Sequence, residues 1–163
     1  MDIEINQDIS ILDQVKIQAQ VLVPLLRAMR AEFGEERVNR VASAALREWS
    51  RKLFHEIGAQ TSGSPREKWM AMTAASMPRI GDAIDVQWLK QEPDAMEFNI
   101  TGCRYADFFR ALGEPELGAL LLCEADVYTA EVGSPEVEFK RTQTIMKGAA
   151  YCDFRYRMKS GGA

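Results

Sequence analysis

Three cysteines carry the most reactive chemistry in this chain, and each stands in a short polar and aromatic cluster. The first cluster is Thr101-Gly102-Cys103-Arg104-Tyr105, the second Cys123-Glu124-Ala125-Asp126, and the third Tyr151-Cys152-Asp153-Phe154-Arg155. Arg141-Thr142-Gln143-Thr144 lies between the second and third. A hydrophobic core needs no charged residue beside every cysteine. The expectation is therefore that these clusters meet around one pocket and that the remainder is scaffold.

Cys103 sits where a predicted strand gives way to a predicted helix. Helix N-terminal amides and the adjacent Arg104 would favour its thiolate, the nucleophilic form, and Gly102 permits a tight turn that exposes it. The bland alternative is a small buried apolar residue. Cys152 falls on a strand face with Phe154, Tyr156 and Met158, so it is expected to be buried, with Asp153, Arg155 and Arg157 pointing the other way. Asp153 and Arg155 could serve a pocket or form a surface ion pair of little worth. Arg141 is expected on the neighbouring strand of the same hairpin. Two arginines near one acid could hold a substrate carboxylate in bidentate fashion, or form a cross-strand charge ladder. Asp126 follows Cys123 by three residues and would share its helical face. There it could act as a general base or cap the next loop.

Other chemistries find less support. The wide cysteine spacings are unlike zinc patterns. His55 is the single histidine and falls on the polar side of a helix with Arg40, Glu48 and Arg51. That argues against a Ser-His-Asp triad and a histidine metal cluster. No GxGxxG or P-loop is present, and no cofactor or metal is expected. The candidate catalytic residues are Cys103, Cys123, Asp126, Cys152 and Asp153. The candidate substrate contacts are Arg104, Tyr105, Arg141, Thr144 and Arg155.

The elements that must position these residues are legible from periodicity. Ser10-Ile11-Leu12-Asp13 has capping-box form, and Val15, Ala19, Leu22, Leu26, Met29 and Phe33 continue one helical stripe. Pro24 should kink that helix, and Gly34 should end it. Glu35 and Glu36 begin a second helix with Val38, Val41, Ala42, Ala45, Leu46, Trp49 and Leu53 on its apolar face, ending at Gly58. Ser64-Pro65-Arg66-Glu67 opens a third, which Pro78 should stop. Alternation predicts strands around Ile84–Trp88 and Met96–Ile100, joined at Glu92-Pro93-Asp94. A short helix from Tyr105 to Leu112 and another from Pro115 follow. Strands are predicted over Val137–Ile145 and Tyr151–Met158. Residues 1–9 read as a loose lead-in and 160–163 as a frayed end.

The 163 residues suit one domain with one core, with a helical half over about 10–78 and a cysteine-bearing half over about 83–158. The expected class is α+β: about five helices on an antiparallel sheet of about four strands. A net charge of −4 and a pI near 5.2 argue against a nucleic-acid partner. No apolar run approaches a membrane span, and the acidic start lacks a signal-peptide n-region. Reduced thiols in a cytoplasm are expected. The apolar excess on the first two helices predicts a homodimer.

Several of these pieces resemble one known family in sequence and order. They are Asn99-Ile100-Thr101-Gly102-Cys103-Arg104-Tyr105-Ala106-Asp107, Gly113-Glu114-Pro115-Glu116-Leu117-Gly118, Cys123-Glu124-Ala125-Asp126, Arg141-Thr142-Gln143-Thr144, and Gly148-Ala149-Ala150-Tyr151-Cys152-Asp153-Phe154-Arg155. Together they resemble the L-2-amino-thiazoline-4-carboxylic acid hydrolases, and the helical half up to Glu32-Phe33-Gly34 fits more loosely. The resemblance implies a small-molecule substrate and the opening of a cyclic amidine. Water adds across a ring C–N bond, giving a carbamoyl-cysteine. With it, Cys103 would attack the amidine carbon, Arg141 or Arg155 would hold the carboxylate, and Asp126 or Asp153 would shuttle the proton; Cys123 with Asp126 is the competing pair. The order of two cysteine segments and a final cysteine-bearing hairpin is also similar to the 4-vinyl-reductase type of ligand-binding domain, which would make the chain a non-catalytic small-molecule sensor.

Overall fold

In a computed structural model, residues 9–159 are described; the predicted lead-in, apart from Ile9, and the predicted frayed end fall outside them. Ser10 caps α1 (Ile11–Phe33), its side chain accepting from the Asp13 amide. The helix runs without interruption through Pro24. Gly34 takes a positive φ of 85°, open to glycine at little cost, and turns the chain into α2 (Glu35–Gln60). α3 (Pro65–Ile80) opens with a complete Ser64/Glu67 capping box.

Two stop signals act differently from expectation. Pro78 lies within the last turn of α3, and Gly81 ends the helix. Gly58 does not end α2. It is buried inside the helix, and a Cβ there would lie 2.6 Å from Val132 Cγ1. The glycine is a point of close approach between two helices.

β1 (Ile84–Glu92) and β2 (Ala95–Cys103) form the predicted hairpin. α4 (Arg104–Ala111) leaves directly from β2. α5 (Pro115–Gly118), a π-helical turn (Ala119–Cys123) and α6 (Glu124–Val132) run on without a break. Counted as one rod, they bring the helices to the expected five. β3 (Val137–Lys140) and β4 (Cys152–Met158) complete an antiparallel sheet of order β1-β2-β4-β3. The fold is α+β.

The predicted strand over Val137–Ile145 is too long. β3 ends at Lys140, and the amides beyond it are taken by side chains. Thr142 and Gln143 donate to the Asp153 carboxylate at 2.9 and 2.8 Å, and Ile145 donates to Cys152 Sγ at 3.2 Å. Thr144 then caps a 3-10 turn (Ile145–Lys147).

The core draws on both halves of the chain. Val15, Ala19 and Leu26 of α1 and Trp69 of α3 join Phe109, Tyr128, Phe154 and Tyr156 in the buried set. Trp69 packs on Tyr156 with ring centroids 4.9 Å apart, and Phe98 stacks on Phe154 at 4.9 Å. Glu114 is buried beside Arg30 at 2.7 Å, and Arg30 also reaches Asn39, so one acid joins α1, α2 and the turn before α5. Part of the apolar surface predicted for α1 and α2 is left open, with Phe33 56% exposed and Trp49 50%, and Val21, off the predicted stripe, is 68% exposed.

Two predictions follow from this packing. Gly58→Ala should destabilise the fold by about 1–3 kcal/mol through overpacking against Val132, and Val132→Ala should recover most of that loss in a chemical-denaturation cycle. The open faces of α1 and α2 carry the expectation of a homodimer. Light scattering at micromolar concentration should give twice the chain mass, and Val21→Asp with Trp49→Asp should return it to one; a monomeric parent chain would remove the expectation.

Candidate active site

The topology brings the three cysteines together. Cys103 closes β2 and is the N-cap of α4; Cys123 ends the π-helical turn; Cys152 opens β4. β2 and β4 are paired, with Ile100 opposite Cys152, and Cys103 and Cys123 pack against the same buried cluster that holds Cys152. The thiols lie close enough to bear on one another's ionisation, and Asp126 bears on all three.

Asp126 and Arg141 form the charged centre of this cluster. Arg141 leaves the end of β3, turns inward and is only 10% exposed. Its Nη1 donates to Asp126 Oδ2, and its Nη2 donates to the Cys123 carbonyl at 2.7 Å. Its guanidinium lies over the rings of Phe139 and Phe154, 5.7 and 5.2 Å from their centroids. The Asp126 side chain is 36% exposed, with its carboxylate against Arg141. Burial raises the Asp126 carboxyl to about 6, although Arg141 pulls the other way.

The thiols respond to the same environment. Burial, aided by the Asp126 charge, pushes Cys123 up to about 12. Burial also raises Cys152 and Cys103. The predicted helix-start effect on Cys103 is present: the Ala106 and Tyr105 amides both lower its pKa, but burial outweighs them. The expected help from Arg104 is missing, because that side chain turns outward to the Asp82 carbonyl and lies 4.0 Å from both the Asp82 and Asp85 carboxylates.

Tyr105 and Tyr156 belong to the same buried cluster. Tyr105 is 7% exposed, and its hydroxyl is the one buried side-chain polar atom without a hydrogen-bond partner among the described residues. Burial raises it to about 12, with Cys103 and Asp126 adding to the effect. An orphaned buried hydroxyl costs about 1–3 kcal/mol, which a ligand acceptor would recover. Tyr156, absent from the sequence-derived candidates, is raised by burial and then by Asp126, with Arg141 opposing. Its signal was its place on the Cys152 face of β4.

The remaining candidates lie apart. Asp153 points to the other face of β4 and accepts from Thr142 and Gln143. Burial opposes its ionisation, but these bonds together hold its carboxyl below the usual range. Arg155 donates to the Phe98 carbonyl at 2.8 Å and to Asn99 Oδ1 at 2.9 Å, with Glu97 at 3.8 Å. Thr144 is buried, and its hydroxyl accepts from the Lys147 amide. His55 is exposed, 3.8 Å from Glu131.

Two open clefts lie elsewhere, along α2. One, of about 230 Å³, is lined by Arg30, Ser43, Arg47, Glu116, Glu124 and Lys147; the other, of about 540 Å³, by Arg47, Arg51, His55 and Tyr128. Several of their charges are already paired: Arg47 reaches Glu124 at 2.7 Å, Arg51 reaches Glu131 at 3.0 Å, and Arg30 reaches Glu114 at 2.7 Å. They are the seams of α2 on the rod behind the cysteines. The cysteine cluster is the candidate site, because there, among the described residues, nucleophiles, a perturbed carboxyl and an unpartnered hydroxyl coincide. No group of three or more His, Cys, Asp and Glu among the described residues is placed to hold a metal ion.

This environment predicts two measurements. The Asp126 carboxyl carbon should titrate near pH 6 by NMR rather than near 4. All three thiols should alkylate slowly with iodoacetamide at pH 7, because the reacting form is the thiolate; rapid loss of Cys103 would show that its helix-start amides outweigh burial.

Comparison with known proteins places the chain in sequence space. No curated protein matches it. Among solved structures, the phenol-responsive sensory domain of the transcription activator PoxR, determined with phenol, is similar over 84% of this chain and 72% of that chain, at 12% identity and a TM-score of 0.44. The family model for L-2-amino-thiazoline-4-carboxylic acid hydrolase matches residues 14–156, a span that holds all three cysteines together with Asp126 and Arg141. The chain therefore belongs to the L-2-amino-thiazoline-4-carboxylic acid hydrolase family.

Proposed function

We propose that the chain is a hydrolase that opens a ring C–N bond of a small cyclic amidine or amide, with Asp126 as the proton-transfer group. The observation that carries this reading is Asp126 itself. It is a carboxyl turned into the meeting point of three cysteines, fixed by Arg141, with its pKa moved to about 6. A general base works best when its pKa lies near the working pH. In this scheme the ionised carboxylate takes a proton from water, and the water oxygen adds to the amidine carbon. The ring C–N bond then breaks, and the departing nitrogen receives the proton from Asp126. A thiazoline ring would leave as a carbamoyl group on sulfur and a free amine. The Tyr105 hydroxyl supplies a hydrogen bond to the ring or to the added oxygen.

A second reading keeps the cysteine nucleophile. It is favoured by the Tyr105 and Ala106 amides at the Cys103 sulfur, which would stabilise a thiolate formed during reaction. Burial of all three thiols supports the water route as the first choice.

Kinetics with 2-amino-thiazoline-4-carboxylate separate the readings. Asp126→Asn should lower kcat by about 10²–10⁴-fold, and kcat/KM of the parent should fall as pH drops through about 6, because the base is the ionised form. Cys103→Ser should keep most of the turnover. If that variant is folded and inactive, the thiol is the nucleophile. If the parent chain is thermally stabilised by the compound without any turnover, the protein is a binding domain and the hydrolase reading fails.

A further inference from the structure

We propose that the cleft of about 230 Å³ between α1, α2 and the rod is a second ligand site, and that it takes a small free α-amino acid with an aliphatic side chain. The site is separate from the cysteine cluster and does not depend on the hydrolase reading.

The cleft draws its walls from elements far apart in the chain. They are α1, α2, α5, the π-helical turn, the first residue of α6 and the 3-10 turn that carries Lys147. Its volume is below the ~300–1,000 Å³ of pockets that take drug-sized ligands, so it suits something smaller. Two of its cations are fixed by protein acids. Arg30 is held by both oxygens of the buried Glu114 and by Asn39. Arg47 is held by both oxygens of Glu124. These forked pairs give the cleft a fixed polar frame.

Two charges in the lining remain. Lys147 and Glu116 are exposed, and neither forms an ion pair among the described residues. They have opposite signs and line one cleft, yet they do not close on each other. A gap of this kind fits a ligand that carries both charges, its ammonium toward Glu116 and its carboxylate toward Lys147. A carboxylate alone would also face Glu116, and an ammonium alone would also face Lys147; like charges set together cost binding. Neutral donors are at hand. The Asn39 oxygen is taken by Arg30, which leaves its amide N–H2 to donate, and Ser43 adds a hydroxyl. The apolar part of the lining includes Leu26, Leu117 and Ala119, all buried, together with Leu120. An α-amino acid carries both charges and an apolar group on one carbon, which meets all of these features within a small volume.

Calorimetric titration of the full chain near neutral pH tests this with three probes that share one aliphatic group. They are L-leucine (both charges), isocaproate (carboxylate only) and isopentylamine (ammonium only). L-Leucine should bind with a Kd of ~1 mM or below, and at least ~10-fold more tightly than either single-charge probe. Lys147→Ala should bring L-leucine to the level of isopentylamine, and Glu116→Ala to the level of isocaproate. Both residues are exposed, so both variants should fold, which circular dichroism checks. Absence of L-leucine binding, equal binding of the three probes, or L-leucine binding that survives both substitutions overturns the assignment. None of these outcomes touches ring opening, so the hydrolase reading stands or falls on its own kinetics.

Discussion

The Asp126–Arg141 pair is the constraint on which the cysteine half depends. Arg141 stands at the end of β3 and Asp126 in the first turn of α6, so their bond ties the sheet to the rod of α5 and α6. A guanidinium that is 10% exposed must be compensated, and here it has a carboxylate, a backbone carbonyl and two aromatic faces. Removing one partner of such a pair leaves the other buried and unpaired, which costs far more than the pair contributes. β3 stops at Lys140, immediately before Arg141. Asp153 takes over the amides that the ladder gives up.

The π-helical turn belongs to the same constraint. A turn of this kind widens the helix and displaces its carbonyls from the α pattern, and such turns recur at functional sites. It places the Cys123 carbonyl within reach of Arg141 and hands over to α6 at Glu124. Behind it, Arg47 holds Glu124 through two bonds of 2.7 and 2.9 Å, and Arg51 holds Glu131 through two more. These pairs are half exposed, so each adds little to stability. Their effect is orientation, because two forks on one helix face fix the rotation of α6 and hence the direction of Asp126. Gly58 lets α2 come close enough for those forks to reach.

Local signals were legible in the sequence and long-range ones were not. The capping residues Ser10 and Ser64, the turn at Pro93 and the alternation of Met96, Phe98 and Ile100 each act within a few residues, and their elements lie where the pattern puts them. The inward face of β4, with Cys152, Phe154 and Tyr156 buried, follows from alternation alone. What failed depended on partners far along the chain. Gly58 reads as a helix stop until Val132 is placed beside it. Arg104 reads as a neighbour of Cys103 until Asp82 and Asp85 draw it outward. The strand through Arg141 reads as continuous until Asp153 is seen to take the Thr142 and Gln143 amides. That the clusters would meet was inferred from their composition; which of their charged residues would face inward was not, because adjacency in sequence says little about direction at the junction of a strand and a helix.

Burial gives the site its chemical bias. It disfavours the charged form of a thiol and of a carboxyl alike, yet the two start on opposite sides of neutrality. A thiol near 9 that is pushed to about 12, as at Cys123, leaves the physiological window and stays protonated. A carboxyl near 4 that is pushed to about 6, as at Asp126, enters that window and can exchange its proton at little cost. The same burial therefore raises the sulfurs and the acid alike, and Arg141 limits the rise so that Asp126 is still ionised at neutral pH. Three cysteines around a carboxyl make a site of low polarity more readily than three hydroxyls would, since a buried thiol tolerates the lack of a strong hydrogen-bond partner. On that account the sulfurs shape the medium around Asp126, and the cluster's composition and the carboxyl's ionisation are two aspects of one physical cause.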